Sequence, residues 1–236
     1  ILLLTSGKSN SLAASMEILS FLNQQGRSGE IIHGSVSYIA ERIKVLAQVA
    51  KARTVLRGSR LGVIGAPSDW LISSTPDASA LYERLGIELV DVPISELVEE
   101  YHLADFGQGS EVADKAKAEF ESHAPATLKK YSEGAFKIYC ALKSLIKRYE
   151  LNGLTLRCFD LLDSLGNTGC LALAILNAEG IPAGCEGDVP ALVSMTIGSA
   201  LTGVSGFQAN PSRIDPQTGE ILFAHCTVPL NMLRSY

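Results

Sequence analysis

Paired cysteine spacing, a nucleotide fingerprint and a basic face are all missing from this chain, and each absence removes a class of function. No two of the five cysteines stand at CxxC spacing; Cys140, Cys158, Cys170, Cys185 and Cys226 fall singly, mostly in apolar segments. They read as reduced, buried thiols rather than as a zinc site or a disulfide framework. No GxGxxG run follows a strand, so no dinucleotide is expected. Ser6-Gly7-Lys8-Ser9 lacks the first glycine and the length of a phosphate loop and reads as a strand-to-helix turn. Lys and Arg number 20 against 25 Asp and Glu, both signs scattered, for a net charge of −5. That balance builds no surface for nucleic acid or for an anionic membrane. The longest uncharged run, 189–210, is too rich in Gly, Ser and Thr, and too interrupted by Pro190, for a membrane span. Ile1 opens directly into an apolar strand with no basic flank, so no signal peptide is read and a cytoplasmic location is expected. Both ends read as the interior of a longer chain.

What is present is apolar and periodic. Apolar residues make up 47% of 236, enough for a sizeable core. Short apolar runs at 1–5, 60–65, 87–92, 154–159 and 181–185 read as buried parallel strands. Between them, helical spacing covers 12–25, 36–57, 77–85, 95–101, one or two charged helices over 110–150 broken near Pro125, and 169–177. The stretch 27–35 reads as a loop. Strands alternating with helices imply βαβ units. The expected fold is α/β: two three-layer parallel-sheet domains of Rossmann or flavodoxin type leading into a further catalytic domain. The boundaries fall at 1–57, 58–183 and 184–236, the first at the charged, glycine-containing link Arg57-Gly58-Ser59.

In open α/β sheets, ligands sit in the loops beyond the carboxyl ends of strands. Two such loops carry polar groups: Ser68-Asp69-Trp70, a candidate sugar-binding loop with the chain's one tryptophan, and Asp160–Asp163. Capping by Ser68 and Asp69 and packing of Trp70 is the alternative for the first loop. The densest grouping follows the strand at 181–185, where Glu186 and Asp188 stand two apart. Pro190 marks a helix start with Asp188 as its N-cap, which leaves Glu186 the freer carboxylate. His225 lies in an apolar strand read over 221–226, where a hydrogen-bonded core role competes with ligation. Carboxylates with one imidazole suit Mn²⁺ or Mg²⁺ better than a thiolate metal.

The segments CEGDVPALVSM (185–195), QANPSR (208–213) and FAHCTVP (223–229) resemble the metal-site region of the L-fucose/L-arabinose isomerase family. The resemblance implies that Glu186, in an ExD motif, is the first metal ligand. It aligns the second ligand, acidic in the family, with Asn210, and a third with His225; a further His of the family lies beyond this chain. It also implies Mn²⁺ as cofactor, a homo-oligomer, and a small sugar as substrate. The reaction would be aldose–ketose isomerisation by proton transfer between C1 and C2 through an enediol, with Glu186 and Asp188 as catalytic carboxylates. Asn210 departs from the pattern: an amide ligates through its carbonyl oxygen but takes no proton. That departure keeps a second class open, a non-catalytic sugar-binding protein that has retained the architecture. A periplasmic-type binding protein would suit two α/β domains but leaves the carboxylate–imidazole grouping without a purpose.

Overall fold

The computed structural model describes residues 1–104 and 110–233. The chain divides into two compact units, Ile1–Ala52 and Arg53–Tyr236.

In the first unit, β1 (Leu2–Thr5) pairs in parallel with β2 (Glu30–His33), with α1 (Ser11–Gln24) between them in the chain. The sequence reading has 27–35 as a loop; a four-residue strand with a charged start carries too little periodicity to stand out. It also has β1 buried, yet β1 pairs with β2 alone, and Leu2 and Leu4 stand exposed. Arg42 of α2 (Val36–Leu56) closes on Glu30 through two hydrogen bonds of 2.6 and 3.1 Å. The Arg42 contact lowers the Glu30 carboxyl from its usual value. The last turn of α2 belongs to the second unit.

The second unit is a three-layer α/β/α frame. Four parallel strands lie in the order β4-β3-β5-β6: β3 (Arg60–Ile64), β4 (Glu88–Val92), β5 (Gly153–Leu156) and β6 (Ala183–Cys185). Side chains alternate across the sheet, as a period of two requires. Leu61 and Val63 point to one face and meet Val189, Leu192 and Val193 of α9 (Val189–Thr202), with Leu81 and Leu85 of α3 (Ala78–Leu85) beside them. Ile64, Leu154 and Leu156 point to the other face and join the larger core. That core is filled from α4 (Ile94–Leu103), α5 (Glu111–His123), α6 (Ala126–Tyr149), α7 (Asp160–Leu165) and α8 (Cys170–Ala178). Pro125 separates α5 from α6, as its missing N–H and fixed φ lead one to expect.

Beyond α9 the chain leaves the sheet. β7 (Asn210–Ile214) and β8 (Ile221–Ala224) form an antiparallel hairpin with a bulge at 211–213, both strands exposed throughout. The strand expected over 221–226 ends two residues early, at Ala224, and its apolar residues are exposed. The chain then returns: Thr227 is buried, and Leu230, in a short 3₁₀ turn, packs into the larger core.

Candidate functional site

The strand order places a switch point between β3 and β5. β3 has β4 on one side and β5 on the other, so successive connections leave in opposite directions and open a crevice at the strands' carboxyl ends. Arg157, one residue past β5, bridges that crevice. Its guanidinium donates to the Pro67 carbonyl at 2.6 Å, to Asp69 at 3.0 and 3.3 Å, and to Asp160 at 3.0 Å. The hydrogen bond from Arg157 holds the Asp69 carboxyl below its usual range. Gly65 allows the approach: with φ +87°, a Cβ there would come 2.9 Å from Cβ of Arg157.

The β6 loop meets the β3 loop backbone to backbone. Glu186 and Gly187 have φ of +64° and +68°, two consecutive left-handed residues that turn the chain sharply into α9. A left-handed non-glycine residue costs on the order of 1 kcal/mol, and such residues concentrate at functional sites. At Gly187 a Cβ would lie 2.3 Å from the Ala66 carbonyl oxygen and 2.8 Å from Cα of Pro67. The Ser68 N–H donates to the Glu186 carbonyl at 3.0 Å and the Gly187 N–H to that of Leu156 at 3.0 Å. Ser68 itself is buried, and its hydroxyl has no partner among the described residues.

This turn sets the Glu186 carboxylate between two rings. Oε2 accepts from the indole N–H of Trp70 at 3.0 Å, and Oε1 lies 3.9 Å from Nε2 of His225. Trp70 is braced edge-on by Phe159, with centroids 5.6 Å apart at 75°. The His225 side chain is only 5% exposed, and its Nδ1 is 3.0 Å from the Thr227 hydroxyl and 3.8 Å from Cys226 Sγ. Cys185 is held from outside by Gln208, whose amide oxygen accepts from the Cys185 N–H at 2.8 Å.

The expected site residues separate into three groups. Glu186, His225, Ser68 and Trp70 come together as described; the indole contacts the carboxylate, while Ser68 contacts the backbone beneath it. Asp188 and Asp69 are engaged elsewhere. Asp188 caps α9, accepting the Ala191 N–H at 2.8 Å, and Asp69 pairs with Arg157. Asn210 lies on the exposed hairpin opposite Ala224, and its carbonyl accepts from Ser212 within the same strand. Arg157 and Phe159 carry no local motif and escape a sequence reading, while Gln208 opens the QANPSR segment, where the resemblance implies no role for it. Only the rule that strand carboxyl ends are functional points toward the first two.

Next to this group lie four of the five cysteines. Cys158 and Cys185 have Sγ atoms 3.1 Å apart, and Cys170 and Cys226 3.3 Å apart. The four are thiols, in no disulfide. Hydrogen bonds to Cys158, Cys170 and Cys226 raise the Cys185 thiol, and those from Cys185 and Cys226 lower that of Cys170. A separate cavity of about 460 Å³ between α3 and α9, with Leu81, Val189 and Val193 in its wall, contains none of the site residues.

The carboxylate and the imidazole thus face each other beyond the strand ends, where open α/β sheets commonly hold their ligands. Over 152 residues the chain is 29% identical to a sulfoquinovose isomerase of Clostridium sp. (strain MSTE9), a match taking in 63% of this chain and 33% of that protein. The chain thus spans about a third of the length of the curated relative it matches. No protein-family model matches the chain.

Proposed function

We propose that this chain belongs to a sugar isomerase that moves a proton between C1 and C2 of an aldose or ketose, within or beside the L-fucose/L-arabinose isomerase family. The observation that carries the reading is the Glu186 carboxylate. It stands on a left-handed turn at the end of β6, oriented by the Trp70 indole and facing His225. The likeness to a sulfoquinovose isomerase supports the reaction class.

In this reading Glu186 takes the proton from the carbon beside the sugar carbonyl and returns it to the neighbouring one. Trp70 fixes the carboxylate's direction, and the Trp70–Phe159 pair offers an apolar wall for a sugar ring. Metal–ligand distances are about 2.0–2.2 Å, so donors 3.9 Å apart, as Glu186 Oε1 and His225 Nε2 are, fit one divalent ion. Mn²⁺ is the cation we assign to those two residues, and its chemistry there is polarisation of the sugar oxygens. Asn210 shares no described contact with either residue, so its ligand role rests on the resemblance alone. A second proton-transfer role for Asp188 would compete with its cap on α9, and one for Asp69 with its pairing to Arg157. A cytoplasmic homo-oligomer acting on a small sugar completes the proposal.

The test is exchange of the C2 proton, read by NMR in deuterated water, across a panel of sugars that includes sulfoquinovose, with full-length protein and Mn²⁺. Exchange should appear with one sugar, and Glu186→Gln should reduce it at least 100-fold, the upper span of general acid–base catalysis being about 10⁴. Undiminished exchange in Glu186→Gln would remove the residue from the chemistry. The second reading, a sugar-binding protein without turnover, is favoured by the amide at Asn210. It would show saturable sugar binding with no exchange.

A further inference from the structure

We infer that the sulfur group beside Glu186 is a binding site for a thiophilic divalent cation of the Zn²⁺ class, with Cys185, Cys226 and His225 as ligands. The inference does not rest on the isomerase reading.

The donors come from two places in the fold: the end of β6 and the two residues following β8. One donor atom from each of Cys185, His225 and Cys226 lies within 4.8 Å of the other two. Cys170 Sγ lies 3.3 Å from Cys226 Sγ, beside this group. In a tetrahedral site with Zn–S of about 2.3 Å and Zn–N of about 2.0–2.1 Å, two sulfurs stand roughly 3.8 Å apart and a sulfur and a nitrogen roughly 3.6 Å. The 3.8 Å of Cys226 Sγ–His225 Nδ1 is close to the second of these distances.

Disulfides are the competing use of close sulfurs, and the geometry separates the two. A disulfide satisfies sulfurs in pairs, whereas Cys185 Sγ has Cys158 Sγ at 3.1 Å and Cys226 Sγ within 4.8 Å. An imidazole belongs to the same group, which a pair of disulfides leaves without a role. The second nitrogen of His225 points at Glu186 Oε1, 3.9 Å away. Histidines that ligate a metal commonly offer their other ring N–H to a carboxylate, which fixes the tautomer. Cys158 and Cys185 are each 1% exposed, while the exposed Cys226 leaves the ion a way in. One neutral imidazole does not serve Mn²⁺ through Nε2 and a thiophilic ion through Nδ1 together, so the two sites compete for His225.

The experiment uses full-length protein and the metals alone. Zn²⁺ should be found at one equivalent by elemental analysis after purification in buffer containing neither chelator nor added metal. Co²⁺ in its place should give the near-ultraviolet sulfur-to-cobalt charge transfer and visible bands of a tetrahedral site with two sulfurs and one nitrogen. Cys185→Ser and Cys226→Ser should each weaken Co²⁺ binding at least tenfold, while Cys140→Ser leaves it unchanged. A protein mass lower by two or four daltons with the thiols consumed would overturn the proposal in favour of disulfides. So would Co²⁺ bound without sulfur charge transfer, or not bound at all, neither of which depends on any variant folding. Failure of C2 proton exchange with every sugar would overturn the isomerase reading and leave these spectra as they are.

Discussion

Gly187 shows how much of the site depends on one missing methyl group. Its φ of +68° and the 2.3 Å clearance to the Ala66 carbonyl leave no room for a Cβ, so the β3 and β6 loops meet only through glycine. Gly187→Ala should lower unfolding stability by about 2–3 kcal/mol, the sum of left-handed strain and a displaced backbone. Urea unfolding checks this; a loss below about 0.5 kcal/mol, the ordinary surface range, would mean that the loops separate freely. Glu186 shares the unusual conformation but was legible for its chemistry: a carboxylate without a helix to cap. Asp188 was legible as the cap, because Pro190 two residues later announces the first turn. Arg157 was not, since a single arginine after an apolar strand acquires its meaning only from Pro67 and Asp69, some 90 residues away in sequence.

Among the elements, β6 is the one whose position the site depends on, and it lies at the edge of the sheet. Its outer side would leave buried backbone groups unpaired, and two side-chain amides pair them instead. Asn177, 1% exposed, accepts from the Ala183 N–H at 2.9 Å and donates to its carbonyl at 2.8 Å. Gln208 accepts from the Cys185 N–H at 2.8 Å. A primary amide offers both a donor and an acceptor, so it can imitate one rung of a strand. Asn177→Leu leaves both groups of Ala183 buried and unsatisfied and should cost about 2–4 kcal/mol in unfolding stability, at roughly 1–2 kcal/mol for each group. A loss under 1 kcal/mol would show that water replaces the amide. The hairpin is the counter-example. Its Ile221, Leu222 and Phe223 look like core by composition, yet all three are exposed, because β8 pairs with β7 and with no strand of the main sheet.

At the scale of the whole molecule, one carboxylate ties three helices of the larger layer. Glu179, just past α8, has a side chain 9% exposed and accepts from Ser110 at the start of α5. It also accepts from the Tyr139 hydroxyl at 2.5 Å and from Lys143 at 2.9 Å, both on α6. Burial disfavours its charge, but the hydrogen bonds from Ser110, Tyr139 and Lys143 outweigh that, and its pKa falls below the ordinary glutamate value. A depressed carboxylate contributes stability that is complete above its unfolded pKa, near 4.3, and lost as pH falls through the folded value. The melting temperature should therefore decline below about pH 4.5. Glu179→Gln should be less stable at pH 7 by about 1–3 kcal/mol, with the difference from wild type narrowing in acid. A difference independent of pH would assign the loss to packing alone.

The alternation of strands and helices, the parallel α/β class, the Pro125 break, the Asp188 cap and the prominence of Glu186 and His225 all followed from the sequence. Local periodicity, proline geometry and residue chemistry suffice for these. The absence of a helix long and apolar enough to cross a membrane, among the described residues, agrees with the reading of 189–210. Tertiary structure alone decided which residues meet. It drew Cys158, Cys170, Cys185 and Cys226 together from four separate segments that share no spacing rule. It set Trp70 against a glutamate 116 positions away, and it left β8 exposed. Side-chain convergence at the ends of strands depends on strand order and loop path, and neither is written in any local run of residues.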